Sequence, residues 1–146
     1  MEVSVKEYAG FWRRFAAYMI DMVILSYFLN SLYWYLINQA RIGSRQYDIQ
    51  ENAVGIAFIP LSIIVFWCYF SGLESSPLRA TLGKLLLGIF VTDLNGQRIS
   101  FGKATGRHFG KLISSFILTI GYLMAGFTEK KQALHDMMAG CLVLRK

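Results

Sequence analysis

An all-α integral membrane protein is the fold class this sequence predicts, with about three hydrophobic helical segments, a short amphipathic interfacial helix and a small β-hairpin. Three observations predict it. Of 146 residues, 55% are hydrophobic and only 16% charged, where soluble domains average roughly 45–50% and ~25%. Mean hydropathy is +0.42. The apolar residues are gathered into long runs, and aromatic residues cluster where those runs end.

The first run, Phe15 to Ile37, is 23 residues with Asp21 as its single charge, and the second, Ala53 to Gly72, is 20 residues with none. A crossing helix needs roughly 20 apolar residues at ~1.5 Å each, so both qualify. The first is not a cleavable signal peptide, because it is too long, carries an acid and ends in LYWYLI rather than in small residues. Leu112 to Phe127 gives 16 uncharged residues, so the third segment, about 107–127, must start at Arg107 and take in Lys111. It either crosses once or enters and returns as a broken, re-entrant helix bent near Gly121. Aromatic belts mark the boundaries: Tyr8, Phe11 and Trp12 before the first run, Tyr33, Trp34 and Tyr35 at its end, and Trp67, Tyr69 and Phe70 at the end of the second. No linker, repeat or low-complexity tract divides the chain, which reads as one domain, 1–146.

Lys and Arg distribute as three before the first run, two in the loop after it, six between the second and third, and four after the third. The positive-inside rule therefore puts the N-terminus in the cytoplasm of a multi-pass protein of the cell's inner membrane. A single third crossing leaves nine basic residues inside and six outside, whereas a re-entrant one leaves thirteen and two, with the C-terminus also inside. Charge bias favours the second arrangement.

Between the second and third segments, SSPLRATLGKLLLGI opens with a Ser-Pro helix-start signal, after a turn at Glu74 to Pro77, and places Leu82, Leu85, Leu86 and Ile89 on one face. GIFVTDLNGQRIS then reads as a hairpin, two β-rich pieces about an Asn95-Gly96 turn. The closing CLVLRK is strand-like and a candidate to pair with it.

Several function classes lack residues. Cys68 and Cys141 have no partner at metal-ligand spacing and read as small buried hydrophobes, and His108 and His135 are too few for a zinc site. No metal or other cofactor is predicted. The net charge of +6 sits beside hydrophobic runs rather than in a patch with stacking aromatics. That points to the lipid bilayer and its anionic headgroups, not to nucleic acid. No G-x-S-x-G, H-E-x-x-H or Walker loop supports enzyme chemistry.

What remains is a constellation of charges. Asp21 follows Arg14 by seven residues, so they share a helix face to within about 20° at ~10.5 Å along the axis. An ionised Asp at a helix centre costs roughly 2.5–3.5 kcal/mol on insertion scales, so Asp21 must be protonated, hydrated or paired. Pairing with Arg14 along one helix is strained, since both side chains lean toward the N-terminus. Partners from other segments fit better: Arg107 and His108, or Lys130, Lys131, His135 and Asp136. Separately, Gly102, Gly106 and Gly110 form one small-residue stripe, which suits close packing within the chain or a homodimer seam.

AGFWRRFAAYMIDMVIL, TLGKLLLGIFVTDLNG, RHFGK and QALHDMMAGCLVLRK together, in this order and over nearly the whole chain, resemble the RDD family of small polytopic membrane proteins. The resemblance implies that Arg14 is the family arginine and that Asp21 and Asp136 are its two aspartates. One departure is Cys141, where the family usually has threonine. The resemblance also implies transport of a small cation or solute, in some members sodium/proton antiport; in others the domain serves as a membrane scaffold that assembles a protein partner. Arg14, Asp21, Arg107, His135 and Asp136 are thus expected to form either an ion or proton site or a structural polar cluster. Three spans are few for alternating access, so transport implies an oligomer.

Overall fold

The computed structural model describes residues 7–42, 47–116 and 120–146. Lys6, Arg45 of the expected external loop, and residues 117–119, which adjoin the expected bend near Gly121, lie outside the described residues. Among the described residues eight elements follow in order: α1 (Phe11–Ile42), α2 (Tyr47–Ser75), α3 (Leu82–Leu86), β1 (Ile89–Asp93), α4 (Phe101–Phe116), α5 (Ile120–Phe127), α6 (Leu134–Met138) and β2 (Cys141–Arg145). The chain divides into two compact units. Met22–Phe66 forms one, and Met1–Asp21 with Trp67–Lys146 forms the other.

The Met22–Phe66 unit is made of the apolar lengths of α1 and α2. Within α1 the 31 residues Phe11–Arg41, and within α2 the 24 residues Asn52–Ser75, are long and apolar enough to cross a membrane. At ~1.5 Å per residue each exceeds the roughly 30 Å of a hydrocarbon core. Only 6% of the most apolar window of α2 is buried within the chain, which excludes the core helix of a soluble protein and leaves a lipid-facing surface. Ile56, Ile59 and Ile63 lie on it, all more than 60% exposed. Tyr33 and Phe58 meet with ring centroids 5.0 Å apart. Both helices are longer than the apolar runs suggest, because the flanking polar residues continue the same turns.

The other unit is built around the antiparallel pair β1–β2, in the register Ile89↔Arg145, Val91↔Val143 and Asp93↔Cys141. The expected hairpin is corrected here. The turn is real, with Gly96 at φ +77° and the Asp93 carboxylate accepting from the Asn95 and Gln97 amides. The residues after it do not form the second strand, since the edge of β1 is taken by the closing CLVLR. The N-terminal segment joins the far side of β2: Arg145 N donates to Glu7 O at 2.8 Å and Ala9 N to Val143 O at 2.9 Å. Ala9, Ala17, Ile89, Val91, Ile99, Ala104, Cys141 and Val143 form the core of this unit.

The expected interfacial helix is shorter than its pattern and starts later. Ser76 to Arg79 turns, with Arg79 at φ +54°, and Thr81 precedes the first turn of α3. Leu82, Leu85 and Leu86 are exposed together, while Gly83 and Lys84 are buried. Ile89 leaves that face to join the β1 core. Of the cysteines, Cys141 is buried but Cys68 is exposed; on a crossing helix an apolar side chain can face lipid instead of protein.

A buried ion-pair network and a separate carboxylate site

Asp136, fully buried in α6, is the meeting point of two arginines. Arg14 Nη1 donates to Oδ2, and Arg107 Nε donates to Oδ1 at 2.6 Å. Oδ2 also accepts the Ala133 amide at 3.2 Å, closing the first turn of α6 from its third residue. Arg14 spends its other donors on backbone, Nε on Ala9 O at 2.9 Å and Nη2 on Lys131 O at 2.6 Å. One guanidinium thus ties α1 to the segment before it and to the loop leading into α6, where Lys131 at φ +46° turns its carbonyl inward. A planar fork of five donors is what allows this, and a lysine could not do it.

Arg107 carries the chain of charges onward, its Nη1 donating to Glu74 Oε2 at 2.7 Å. Glu74, 1% exposed at the end of α2, receives three cations: Arg107, Lys84 at 2.5 Å and Lys111 at 3.8 Å. Signs alternate from Arg14 to Asp136 to Arg107 to Glu74 to the two lysines, linking α1, α6, α4, α2 and α3. Removing so many charges from water is tolerated because each carboxylate is met by more than one donor.

The electrostatics outside the crossing helices follow from this. Burial alone would raise the Asp136 carboxyl, but the guanidiniums of Arg107 and Arg14 hold it well below the usual carboxylate range. Burial lowers the Lys84 ammonium to about 7 despite the attraction of Glu74. Burial likewise lowers the His135 imidazole to about 3, so it stands neutral beside Asp136.

Asp21 takes no part in that network. Fully buried on α1, it accepts hydrogen bonds from the Tyr69 hydroxyl (2.7 Å), Thr81 Oγ1 (2.5 Å) and the Gly83 amide (2.7 Å). None of the cations or histidines expected as its partners reaches it by a direct bond among the described residues. The close approach of α3 that supplies the amide requires glycine, for a Cβ on Gly83 would lie 2.2 Å from Ala17 O.

Arg14, Arg107, His135 and Asp136 therefore come together, and Asp21 forms its own site. Of the glycine stripe, Gly110 packs on His135, where an added Cβ would meet His135 Cβ at 3.2 Å. Gly102 and Gly106 are exposed, with nothing within 4 Å of a Cβ added to either. Sequence reasoning missed Glu74, Lys84, Lys111, Tyr69 and Thr81. Cys141 directs its thiol to Ala139 O at 3.4 Å.

A cavity of about 450 Å³ lies against both sites, lined by the aromatic residues Phe11, Phe15, Tyr18 and Phe70, by Asp21 and by the cations Arg14, Lys84, Arg107 and Lys111.

These features define a small helical membrane domain with a buried Arg–carboxylate network. Comparison with known proteins agrees: the RDD family profile matches residues 8–140, and the chain belongs to the RDD family. It is 34% identical to the uncharacterized protein YxaI of Bacillus subtilis (strain 168), over 94% of this chain and 97% of that one. It is also 27% identical to the uncharacterized membrane protein YteJ of the same organism, over 99% of this chain and 85% of that one. No solved structure matches.

Proposed function

We propose that the chain is a non-catalytic transport module of the cell's inner membrane, moving a small ion or solute in exchange for protons and working as a homo-oligomer. One observation carries this reading. Lys84 is a buried amine on the wall of a 450 Å³ cavity, bonded to Glu74, and burial brings it to about 7. A group that changes charge near neutral pH beside a solvent-sized cavity is what proton coupling needs. Of the sodium/proton-like variants, exchange of a solute is favoured over exchange of a cation, because Asp21, Glu74 and Asp136 each already accept bonds from several protein donors. The pairing of Glu7 with Arg145 supports the topology in which N- and C-termini share the cytoplasmic side.

A second reading, a scaffold that binds another membrane protein, is favoured by the outward leucines of α3 and the uncovered Gly102–Gly106 edge of α4. Purified protein in liposomes separates the two. Under an imposed pH gradient the transport reading expects cation or solute flux that Lys84→Met abolishes and that shifts in pH dependence with Lys84→Arg. Absence of flux in the wild-type protein across pH 5 to 9 overturns it in favour of the scaffold.

A further inference from the structure

Asp21 and Tyr69 hold α3 at a definite level along the two crossing helices. The amides that open a helix have no partner inside it, and those of α3 find theirs on α1 and α2. Leu82 N donates to the Tyr69 hydroxyl at 3.3 Å and Gly83 N to the Asp21 carboxylate at 2.7 Å, and Thr81 Oγ1 donates to the same carboxylate at 2.5 Å. Asp21 is six residues beyond Phe15, where the apolar run of α1 begins, and Tyr69 is six residues short of Ser75, where α2 ends. At ~1.5 Å per residue each lies about 9 Å inward of its end. Arg14 and Glu74, joined through Asp136 and Arg107, mark those two ends. After Ser75 the chain thus turns at Ser76 to Arg79 and runs back inward to α3 before leaving as β1.

At that level α3 has two faces. Gly83 and Lys84 are buried against the protein, while Leu82, Leu85 and Leu86 are 42%, 42% and 71% exposed. Beside Asp21 in the same turns of α1, Tyr18 and Met19 are each 45% exposed, on a helix long and apolar enough to cross a membrane. A leucine face at the depth of such a helix meets hydrocarbon rather than water. A helix at headgroup level can leave its first amides to water, whereas one below it needs them satisfied by protein. Asp21 and Tyr69 supply that satisfaction here.

We propose that α3 is a re-entrant element, held below headgroup level by Asp21 and Tyr69, whose leucine face packs against the acyl chains of the surrounding lipid leaflet. Asp21 is then a positioning residue for lipid contact, acting through the Thr81 hydroxyl and the Gly83 amide. Lipid contact of this kind requires no transport, so it is tested without flux.

Nitroxide labels on single cysteines, in a Cys68→Ala and Cys141→Ser background, report on it in the full-length protein. The protein is reconstituted at high lipid-to-protein ratio in liposomes of phosphatidylcholine and phosphatidylglycerol. Collision with molecular oxygen, which concentrates in hydrocarbon, and with a water-soluble nickel chelate is read at Leu82→Cys and Leu86→Cys. Met19→Cys on α1 and Asn95→Cys in the turn after β1 are the references, both at exposed positions. At the two leucine positions the nickel collision rate should match that of Met19→Cys, about tenfold or more below that of Asn95→Cys, with oxygen collision as high as at Met19→Cys. Nickel access equal to that of Asn95→Cys, at the leucine positions or at Met19→Cys, overturns the depth. Low access to both reagents overturns the lipid face, because a second copy of the chain then covers it. Asp21→Leu and Tyr69→Phe should raise nickel access at Leu86→Cys, whereas Asp21→Asn, which keeps an acceptor, should leave it unchanged. Should Asp21→Leu fail to fold, Tyr69→Phe carries the test of the anchors, and unchanged access in it overturns their positioning role.

Discussion

Arg107 Nε lies 2.6 Å from the Asp136 carboxylate, and through its Nη1 the same guanidinium reaches Glu74 at 2.7 Å. One side chain on α4 therefore neutralises two buried acids that belong to different helices. Its loss should be the most damaging single change in the network.

Arg107→Met is expected to cost about 3–5 kcal/mol, because both carboxylates lose a partner while remaining buried. Arg14→Met should cost less, since its side chain is 12% exposed and Asp136 keeps Arg107. Thermal or denaturant unfolding in detergent gives the order. An Arg14→Met protein less stable than Arg107→Met contradicts it.

Three glycines should respond differently to one methyl group. Gly83→Ala places Cβ 2.2 Å from a backbone oxygen and should destabilise by roughly 1–3 kcal/mol or more. Gly110→Ala, at 3.2 Å from His135 Cβ, should be milder, and Gly106→Ala should leave the monomer unaffected. Oligomer size read on Gly106→Leu then reports on a seam between copies, because the position is exposed and a Cβ added there meets nothing within 4 Å among the described residues.

Asp21→Asn should keep near-wild-type stability. The amide oxygen can still accept from Tyr69 and Gly83, and the Thr81 hydroxyl can turn to accept from the amide nitrogen. Asp21→Leu removes the acceptor from three donors, two of them side-chain hydroxyls and one a buried amide, and should cost about 1–3 kcal/mol or more. Equal losses in the two variants would mean the negative charge itself is needed.

The pH dependence has two parts of opposite location. Asp136, held below its ordinary value of 3.8, contributes stability that is present above that value and is lost as pH falls beneath it. Lys84 has a folded value of about 7 against 10.5 unfolded, so between the two the unfolded chain binds more protons and stability rises with pH. A Tm profile from pH 6 to 10 should climb in the wild type and be flatter in Lys84→Met. Identical slopes would show that Lys84 is not the titrating group.

How much of this was legible in the sequence follows residue type. Asp21 announces itself as the one charge in an apolar run, but its partners are hydroxyls and an amide from Tyr69, Thr81 and Gly83, which no charge pattern marks. Glu74 lies just beyond the run that ends at Gly72 and so reads as turn. A better signal was available: an acid in the last turn of a crossing helix opposes the helix dipole, and Lys84, Arg107 and Lys111 supply the missing counter-charge. The Asn95-Gly96 turn is local and the closing CLVLRK was legible as a strand that could pair with this stretch, but that it lies beside β1 in place of the residues after the turn depends on tertiary packing some fifty residues away. Arg14, on the helix face of Asp21, and Asp136, in the charged closing stretch, stood out as charges, and the resemblance of the opening and closing motifs then singled them out.

Arg14 and Asp136 belong to one network and Asp21 stands apart from it. A pair of double-mutant cycles on unfolding free energy tests this most directly. Arg14→Met with Asp136→Asn should be non-additive by about 1 kcal/mol or more, whereas Asp21→Leu with Asp136→Asn should be additive to within about 0.5 kcal/mol, because the two aspartates share no hydrogen-bond partner. Strong coupling between Asp21 and Asp136, with none between Arg14 and Asp136, would contradict the account.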